Sequence, residues 1–169
     1  MSGTDEPVLG ERGGPEDAGG AGEFGARIRR LVEREPFGVL CTQGGTQPYG
    51  SVVAAAFSED LRHALFATPV TTRKFRLLSA CDRVALVVDD RSSWVGDMMR
   101  VEAVTLTGRA VQLQRGEEFD RWAAVLVRRH PQLAAFVRAE SCALFRVDVA
   151  RYFHVERFQE VREWTPPSS

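Results

Sequence analysis

The chain has 169 residues, of which 44% are hydrophobic and 27% are charged, and its formal net charge is −1. This length and composition predict one soluble domain with a sizeable core. No dense basic stripe is interleaved with aromatic residues and no uncharged apolar run approaches the length of a membrane span, so the pattern predicts neither a nucleic-acid partner nor a membrane partner.

The N-terminal segment differs in composition from the rest of the chain. Met1–Gly25 holds eight of the fifteen glycines and six acidic residues against one arginine, a net charge of −5 that leaves +4 for the remainder. Such a segment buries too little apolar surface to fold, and it lacks the basic start and apolar stretch of a signal peptide. We therefore expect a disordered tail over residues 1–24, a domain over residues 25–163 and a frayed end over residues 164–169. The mild positive excess of the domain suits a small anionic ligand.

The cysteines indicate a reducing compartment. Cys41, Cys81 and Cys142 are odd in number and widely spaced, and none belongs to a CxxC or Cys/His ligand pattern. We expect free thiols, no metal site and a cytoplasmic location.

The first half of the chain predicts one helix, three strands, a second helix and a fourth strand. Helical spacing of apolar residues begins near Glu23, and Pro36 ends it. Short apolar runs bounded by turn residues then predict strands, and a threonine pair predicts the N-cap of the second helix. The predicted strands are Phe37–Thr42, Tyr49–Phe57, Ala64–Thr68 and Arg83–Val88, and the second helix begins after Thr71 or Thr72.

The second half predicts a loop, a strand, two helices and a β-rich end. Arg91–Arg100 has no clear period and is expected to carry Trp94 and Met98 towards a cleft or a partner surface. Val101–Leu113 alternates as a strand, in which Gly108 indicates a bulge or a close approach. The remaining predicted elements are a helix over Glu117–Arg129, a short helix that begins at Pro131 and a long β-rich stretch over Cys142–Val161.

This order of elements favours a mainly β fold with peripheral helices. The strands are short and are linked directly or by one small helix, which is typical of an antiparallel barrel. A doubly wound parallel sheet needs a crossover helix after nearly every strand, and the sequence lacks them.

The charge at the start of the second helix is unusual. Arg73 and Lys74 fall in its first turn, where the helix dipole is already positive, so a bound anion would reverse an unfavourable arrangement. Two cations, a threonine hydroxyl and unpaired backbone N–H groups suit a phosphate. The alternative is that both side chains lie in water on an exposed turn.

The strand ahead of this unit is rich in small residues. Gly50, Ser51 and the alanines at 54–56 allow a flat ligand or another backbone to approach the sheet, although a strand packed under a helix explains them equally well. The chain contains no GxGxxG, Walker, GxSxG or HExxH motif. Its three histidines lie in different elements, which favours structural roles over metal binding.

Four segments together resemble one family. FGVLCT, PYGSVVAAAF, LFATPVTTRKFRLLSACDRVALVVDD and TLTGRAVQL look like the flavin mononucleotide (FMN)-binding split-barrel proteins similar to pyridoxamine 5'-phosphate oxidase. The resemblance implies an antiparallel split β-barrel that forms a homodimer with flavin at the subunit interface. It assigns the phosphate to Arg73 and Lys74 beside Thr72, the ribityl chain or ring to Thr68, and the edge of the ring to the backbone from Ser51 through Val52 and Val53 to Ala54.

Departures from the family pattern set the limits of this resemblance. Pyridoxamine phosphate oxidases carry an arginine where Ser51 stands, a glutamine where Ala103 stands and an Arg-Leu-x-Pro segment near the C-terminus, all absent here. The resemblance thus implies an FMN-dependent oxidoreductase with another small-molecule substrate, and it assigns no catalytic acid or base. Trp94 is a candidate to cover the flavin ring. The alternative is a module of the same fold that is non-catalytic or that binds haem or a deazaflavin coenzyme. Haem would need an axial ligand, for which His154 and His63 are the candidates.

Overall fold

Eight strands form one curled antiparallel sheet in the structure, a computed structural model that describes residues 20–157 and 160–167. The strand order is β2-β1-β5-β6-β7-β4-β3, and β8 pairs with β7. This confirms the predicted antiparallel split barrel. Of the predicted tail over residues 1–24, residues 1–19 lie outside the described residues and residues 20–24 belong to a helix. The strands are β1 (Phe37–Gly44), β2 (Gln47–Ala54), β3 (Ala56–Phe57), β4 (His63–Pro69), β5 (Arg83–Asp89), β6 (Ala103–Gln112), β7 (Cys142–Glu156) and β8 (Glu160–Trp164), and the helices are α1 (Gly20–Arg34), α2 (Arg73–Ala80), α3 (Glu117–Arg129) and α4 (Ala134–Arg138).

The longest strand, β7, connects the two halves of the sheet. It has 15 residues; β6 pairs along one edge, while β4 and then β8 pair along the other. The register between β6 and β7 shifts at Thr107/Gly108. A Cβ atom at Gly108 would overlap the carbonyl oxygen of Asp148. The prediction that Gly108 marks a bulge and a close approach is therefore confirmed.

Helix α1 covers the inner face of the curled sheet. Ile28, Leu31 and Val32 are at most 2% exposed and pack with the inward side chains of the strands. The helix begins at Gly20 rather than near Glu23 and ends two residues ahead of Pro36, as expected from the missing proline N–H.

Helices cover only part of the outer face of the sheet. Helices α3 and α4 pack on β4 and the first half of β7, where they bury Leu65 and Leu144. In the described chain no helix packs on the outer side of β1, β2, β5 and the second half of β7. The register places a set of mainly small and apolar side chains there, hereafter the open face: Val39, Cys41, Val52, Ala85, Val87, Thr105, Thr107, Phe153 and Val155.

Element boundaries also differ from the sequence predictions at Ala55 and near the C-terminus. The predicted strand Tyr49–Phe57 is divided at Ala55, whose N–H donates to Pro36 O at 3.2 Å and whose carbonyl accepts from His130 Nε2 at 2.9 Å. At the C-terminus, Trp164 is the last residue of β8, is 8% exposed and packs against Tyr152, so the ordered sheet passes residue 163. Cys41, Cys81 and Cys142 carry free thiols, as predicted. None of the described helices is long and apolar enough to span a membrane.

Candidate functional site

The start of α2 is held by a threonine pair. Thr72 is the N-cap: its hydroxyl accepts from Phe75 N at 3.2 Å and donates to Pro69 O at 2.9 Å. Thr68 Oγ1 lies 3.0 Å from Thr72 Oγ1, and because the Thr72 proton is directed to Pro69, Thr68 donates to Thr72. These bonds fix the direction in which the first N–H groups of the helix point.

The two cations of the first turn have different surroundings. The Arg73 side chain is exposed, and its guanidinium carbon lies 5.0 Å from the ring centroid of Tyr49 on β2. Lys74 is half-buried and has no carboxylate partner among the described residues, and burial lowers the pKa of its ammonium group. An unpaired, partly desolvated cation at the positive end of a helix dipole is stabilised by an anion.

Strand β2 presents an unpaired polar group near this turn. Ser51 pairs with Leu40 and Tyr49 pairs with Thr42, whose side chains are buried, so both β2 residues face inwards. The Ser51 hydroxyl oxygen is buried and has no hydrogen-bond partner in the described structure. Buried hydroxyl groups are normally paired, so this orphan marks a place where a ligand atom would be favourable.

Strand β2 also has a free backbone edge. It pairs only with β1 among the described strands. Ala55 N donates to Pro36 O, and because hydrogen-bonded and non-hydrogen-bonded pairs alternate in an antiparallel ladder, the N–H and C=O groups of Gly50, Val52 and Ala54 face away from β1. We name the start of α2, the inward side of Tyr49 and Ser51, and this free edge the α2–β2 cradle.

The cradle brings together part of the predicted site. Arg73 lies against β2, and Lys74 and Ser51 each offer an unpaired polar group. Val52 and Val53 point their side chains to opposite faces, with exposures of 68% and 4%, so only their backbone is available to a ligand. Thr68 is 1% exposed and its hydroxyl bonds internally, so a ligand contact by its side chain stays a prediction.

The sequence analysis did not identify Tyr49 as a site residue, and it named Trp94 only as a candidate to cover the flavin ring. Tyr49 stands two residues before Ser51 and therefore on the same face of a strand, which is the signal that identifies it. The indole N–H of Trp94 donates to Asp90 Oδ2 at 2.8 Å, and the Arg100 guanidinium lies 3.6 Å from its ring centroid. Within one chain Trp94 is therefore engaged with its own loop.

The histidines proposed as haem ligands differ in availability. His154 is fully buried, with Nε2 3.4 Å from Glu102 Oε2 and with Phe24 packed edge-on against the ring. His63 is half-buried, and its Nδ1 lies 3.1 Å from Asp148 Oδ1. A carboxylate on Nδ1 leaves Nε2 as the nitrogen that could bind a metal, so His63 is the more available of the two.

The curled antiparallel sheet with a basic helix start beside its free edge defines a split-barrel protein. A sequence profile of the pyridoxamine 5'-phosphate oxidase family matches residues 24–156. The chain belongs to this family.

Solved structures with the same fold have different reported ligands. A haem-binding protein from Mycobacterium smegmatis shares 17% identity at a TM-score of 0.72, covering 82% of this chain and 56% of that chain. An FAD-binding protein from Mesorhizobium loti shares 16% identity at a TM-score of 0.62, with coverages of 76% and 91%. The haem storage protein HutZ from Vibrio cholerae shares 14% identity at a TM-score of 0.60, with coverages of 73% and 88%. No curated protein matches the sequence significantly.

Proposed function

We propose that the chain is an FMN-binding flavoprotein that acts as an oxidoreductase on a small molecule. The observation that carries the proposal is the α2–β2 cradle, where Arg73 of α2 contacts Tyr49 of β2, on the same face as the orphaned hydroxyl of Ser51. Lys74, next to Arg73 in the chain, is half-buried and has no carboxylate partner among the described residues. Family membership supports the same cofactor class, as does the FAD-binding protein with the same fold.

The residues of the cradle fit the parts of FMN. Lys74, Arg73 and the first N–H groups of α2 would hold the phosphate, since cations and a helix start both favour an anion. The outward N–H and C=O groups of Val52 and its neighbours would bond the polar edge of the ring, and Tyr49 would keep Arg73 in place. Thr68 and Thr72 would orient this turn. Bound FMN supplies hydride or electron transfer, while the chain binds and orients it.

The open face supports a homodimer. Four of the nine side chains of the open face are valines, and a sheet face of this kind normally packs against a second layer, which the described chain does not provide there. A hollow of about 570 Å³ on this face, lined by residues that include Cys41, Ala85 and Phe153, gives a concave surface for the partner.

The cofactor assignment is tested by changing the two cations together. Replacing Arg73 and Lys74 with Ala should weaken FMN binding about a hundredfold or more, since each charge-assisted bond contributes about 1.5–3 kcal/mol. Affinity is measured by quenching of FMN fluorescence, and mass spectrometry identifies the molecule that copurifies. Arg76→Ala is the matched control, because Arg76 is an exposed cation one turn further along α2. Unchanged FMN affinity in the double variant would show that Arg73 and Lys74 do not bind the phosphate.

Haem binding is the second candidate function, and the arrangement of His63 with Asp148 favours it. Two of the solved structures with this fold are a haem-binding protein and a haem storage protein. A Soret band in the purified protein that disappears in His63→Ala would support haem. Flavin absorbance that survives this substitution would support FMN.

A further inference from the structure

A second concave site lies at the far end of β4 from the cradle. A groove of about 340 Å³ is enclosed by α1, the turn between β3 and β4, and α3. β4 begins at His63 beside this turn and ends at Pro69 beside α2. A strand advances about 3.3 Å per residue, so about 20 Å separates the groove from the cradle. A molecule in the groove would therefore leave the cradle accessible.

The floor of the groove is apolar and fixed. Val32, Ala56 and Leu61 line it and are at most 3% exposed, and Phe57 and Val125 add further apolar surface. Leu61 has a φ of 59°, in the left-handed region that leucine rarely adopts. The hydroxyl of Tyr152 donates to the Leu61 carbonyl at 2.6 Å and holds this turn in place. The cavity is thus present without a ligand.

The rim of the groove carries an excess of positive charge. Arg29 of α1 and Arg128 and Arg129 of α3 line it, against Glu33 and Glu59. Within the part of the chain that the structure describes, none of the three guanidinium groups lies within ion-pair distance of a carboxylate. The dipole of α3 favours cations in its last turn, but it leaves their hydrogen-bond donors available to a ligand.

We propose that this groove binds a small amphipathic carboxylate, with its hydrocarbon chain on the floor and its head group on Arg128 and Arg129. A volume of about 340 Å³ falls in the range of small-molecule sites. A wholly polar anion would leave the partly exposed side chains of Phe57 and Val125 in water, and an uncharged apolar molecule would leave the guanidinium groups unpaired. An anionic head on an apolar chain satisfies both parts of the groove.

Octanoate is the probe for this site, compared with octanol and octylammonium, which share its chain. Calorimetry with the full chain should detect octanoate binding and much weaker binding of the other two. Arg128→Gln with Arg129→Gln should weaken octanoate about tenfold or more, since charge-assisted bonds are lost. Arg138→Gln, at the exposed end of α4, is the matched control and should leave affinity unchanged.

Several outcomes would overturn the proposal. If octanol binds as tightly as octanoate, Arg128 and Arg129 do not bind the carboxylate. The same conclusion follows if Arg138→Gln lowers the octanoate affinity as much as the double substitution does. Binding that appears only after removal of residues 1–19 would assign the groove to that acidic segment. FMN affinity is measured in the same double variant and should be unchanged, so failure here is separable from failure of the cofactor assignment.

Discussion

At Gly108 only a hydrogen atom fits beneath the carbonyl oxygen of Asp148, because β6 and β7 approach closely at the bulge. Gly108→Ala should lower the free energy of unfolding by about 1–3 kcal/mol, the usual result of overpacking. Urea denaturation measures the change. Gly22→Ala in α1, where an added Cβ meets nothing within 4 Å, is the control and should stabilise the protein by about 0.5–1 kcal/mol.

Local sequence signals predicted some features of the candidate site and missed others. The threonine cap, the two cations of α2 and Gly108 were predictable, because each depends on neighbours within a few positions. The Tyr49 contact with Arg73 and the orphaned hydroxyl of Ser51 were not, because they arise when β2 and α2 meet in space. A pattern of residue types records which groups are present and does not record which of them lack a partner.

At the scale of elements, α1 is tied to the sheet by a charged cluster. Arg27 bonds Glu102 Oε1 at 2.5 Å and Glu156 Oε2 at 2.5 Å, joining the helix to the start of β6 and the end of β7. His154 lies below this cluster, and Arg162 of β8 approaches Glu156 at 3.7 Å. Burial lowers the pKa of His154, although the bond to Glu102 acts in the opposite direction.

This cluster predicts a pH dependence of stability. Below the ordinary pKa of 6.5 the imidazole of His154 is protonated in the unfolded chain but stays neutral in the folded chain. The free energy of unfolding should therefore fall as the pH decreases. The slope contributed by one such group is at most about 1.4 kcal/mol per pH unit, and it begins as the pH falls through the ordinary pKa of 6.5. His154→Phe keeps a ring against Phe24 and should flatten the slope in urea denaturation. Glu102→Gln keeps the imidazole and should retain the slope; an unchanged slope in His154→Phe would contradict the assignment.

Element types were predictable and some of their limits were not. Short apolar runs bounded by turn residues identified the first strands, alternation identified β6, and Pro36 marked the end of α1. The break at Ala55 depends on bonds to Pro36 and His130, which are distant in sequence or in another element. The start of α1 at Gly20 runs against the low helix propensity of a glycine-rich stretch.

At the scale of the molecule, the open face predicts how two copies associate. Phe153→Glu places a charge in the hollow of this face, and it should convert a dimer to a monomer because an unpaired buried charge is unfavourable. Light scattering coupled to size-exclusion chromatography gives the mass. Ala135→Glu, on the exposed side of α4, is the control and should leave the mass unchanged. A dimer that persists in Phe153→Glu would place the interface elsewhere.

The sequence predicted an antiparallel barrel with peripheral helices, and the structure confirms it. It did not predict that helices cover one half of the outer face and leave the other half uncovered. Strands such as β5 are apolar on both faces, which indicates that both faces are covered. The pattern does not show which element or which chain covers the outer face.

The free edge of β2 also affects how separate molecules can associate. Unpaired backbone groups along an exposed strand are a template on which a strand of another molecule can add. Val52, on that strand, adds an exposed apolar side chain. Occupancy of the cradle would then protect the protein against aggregation, in addition to any chemistry that it supports.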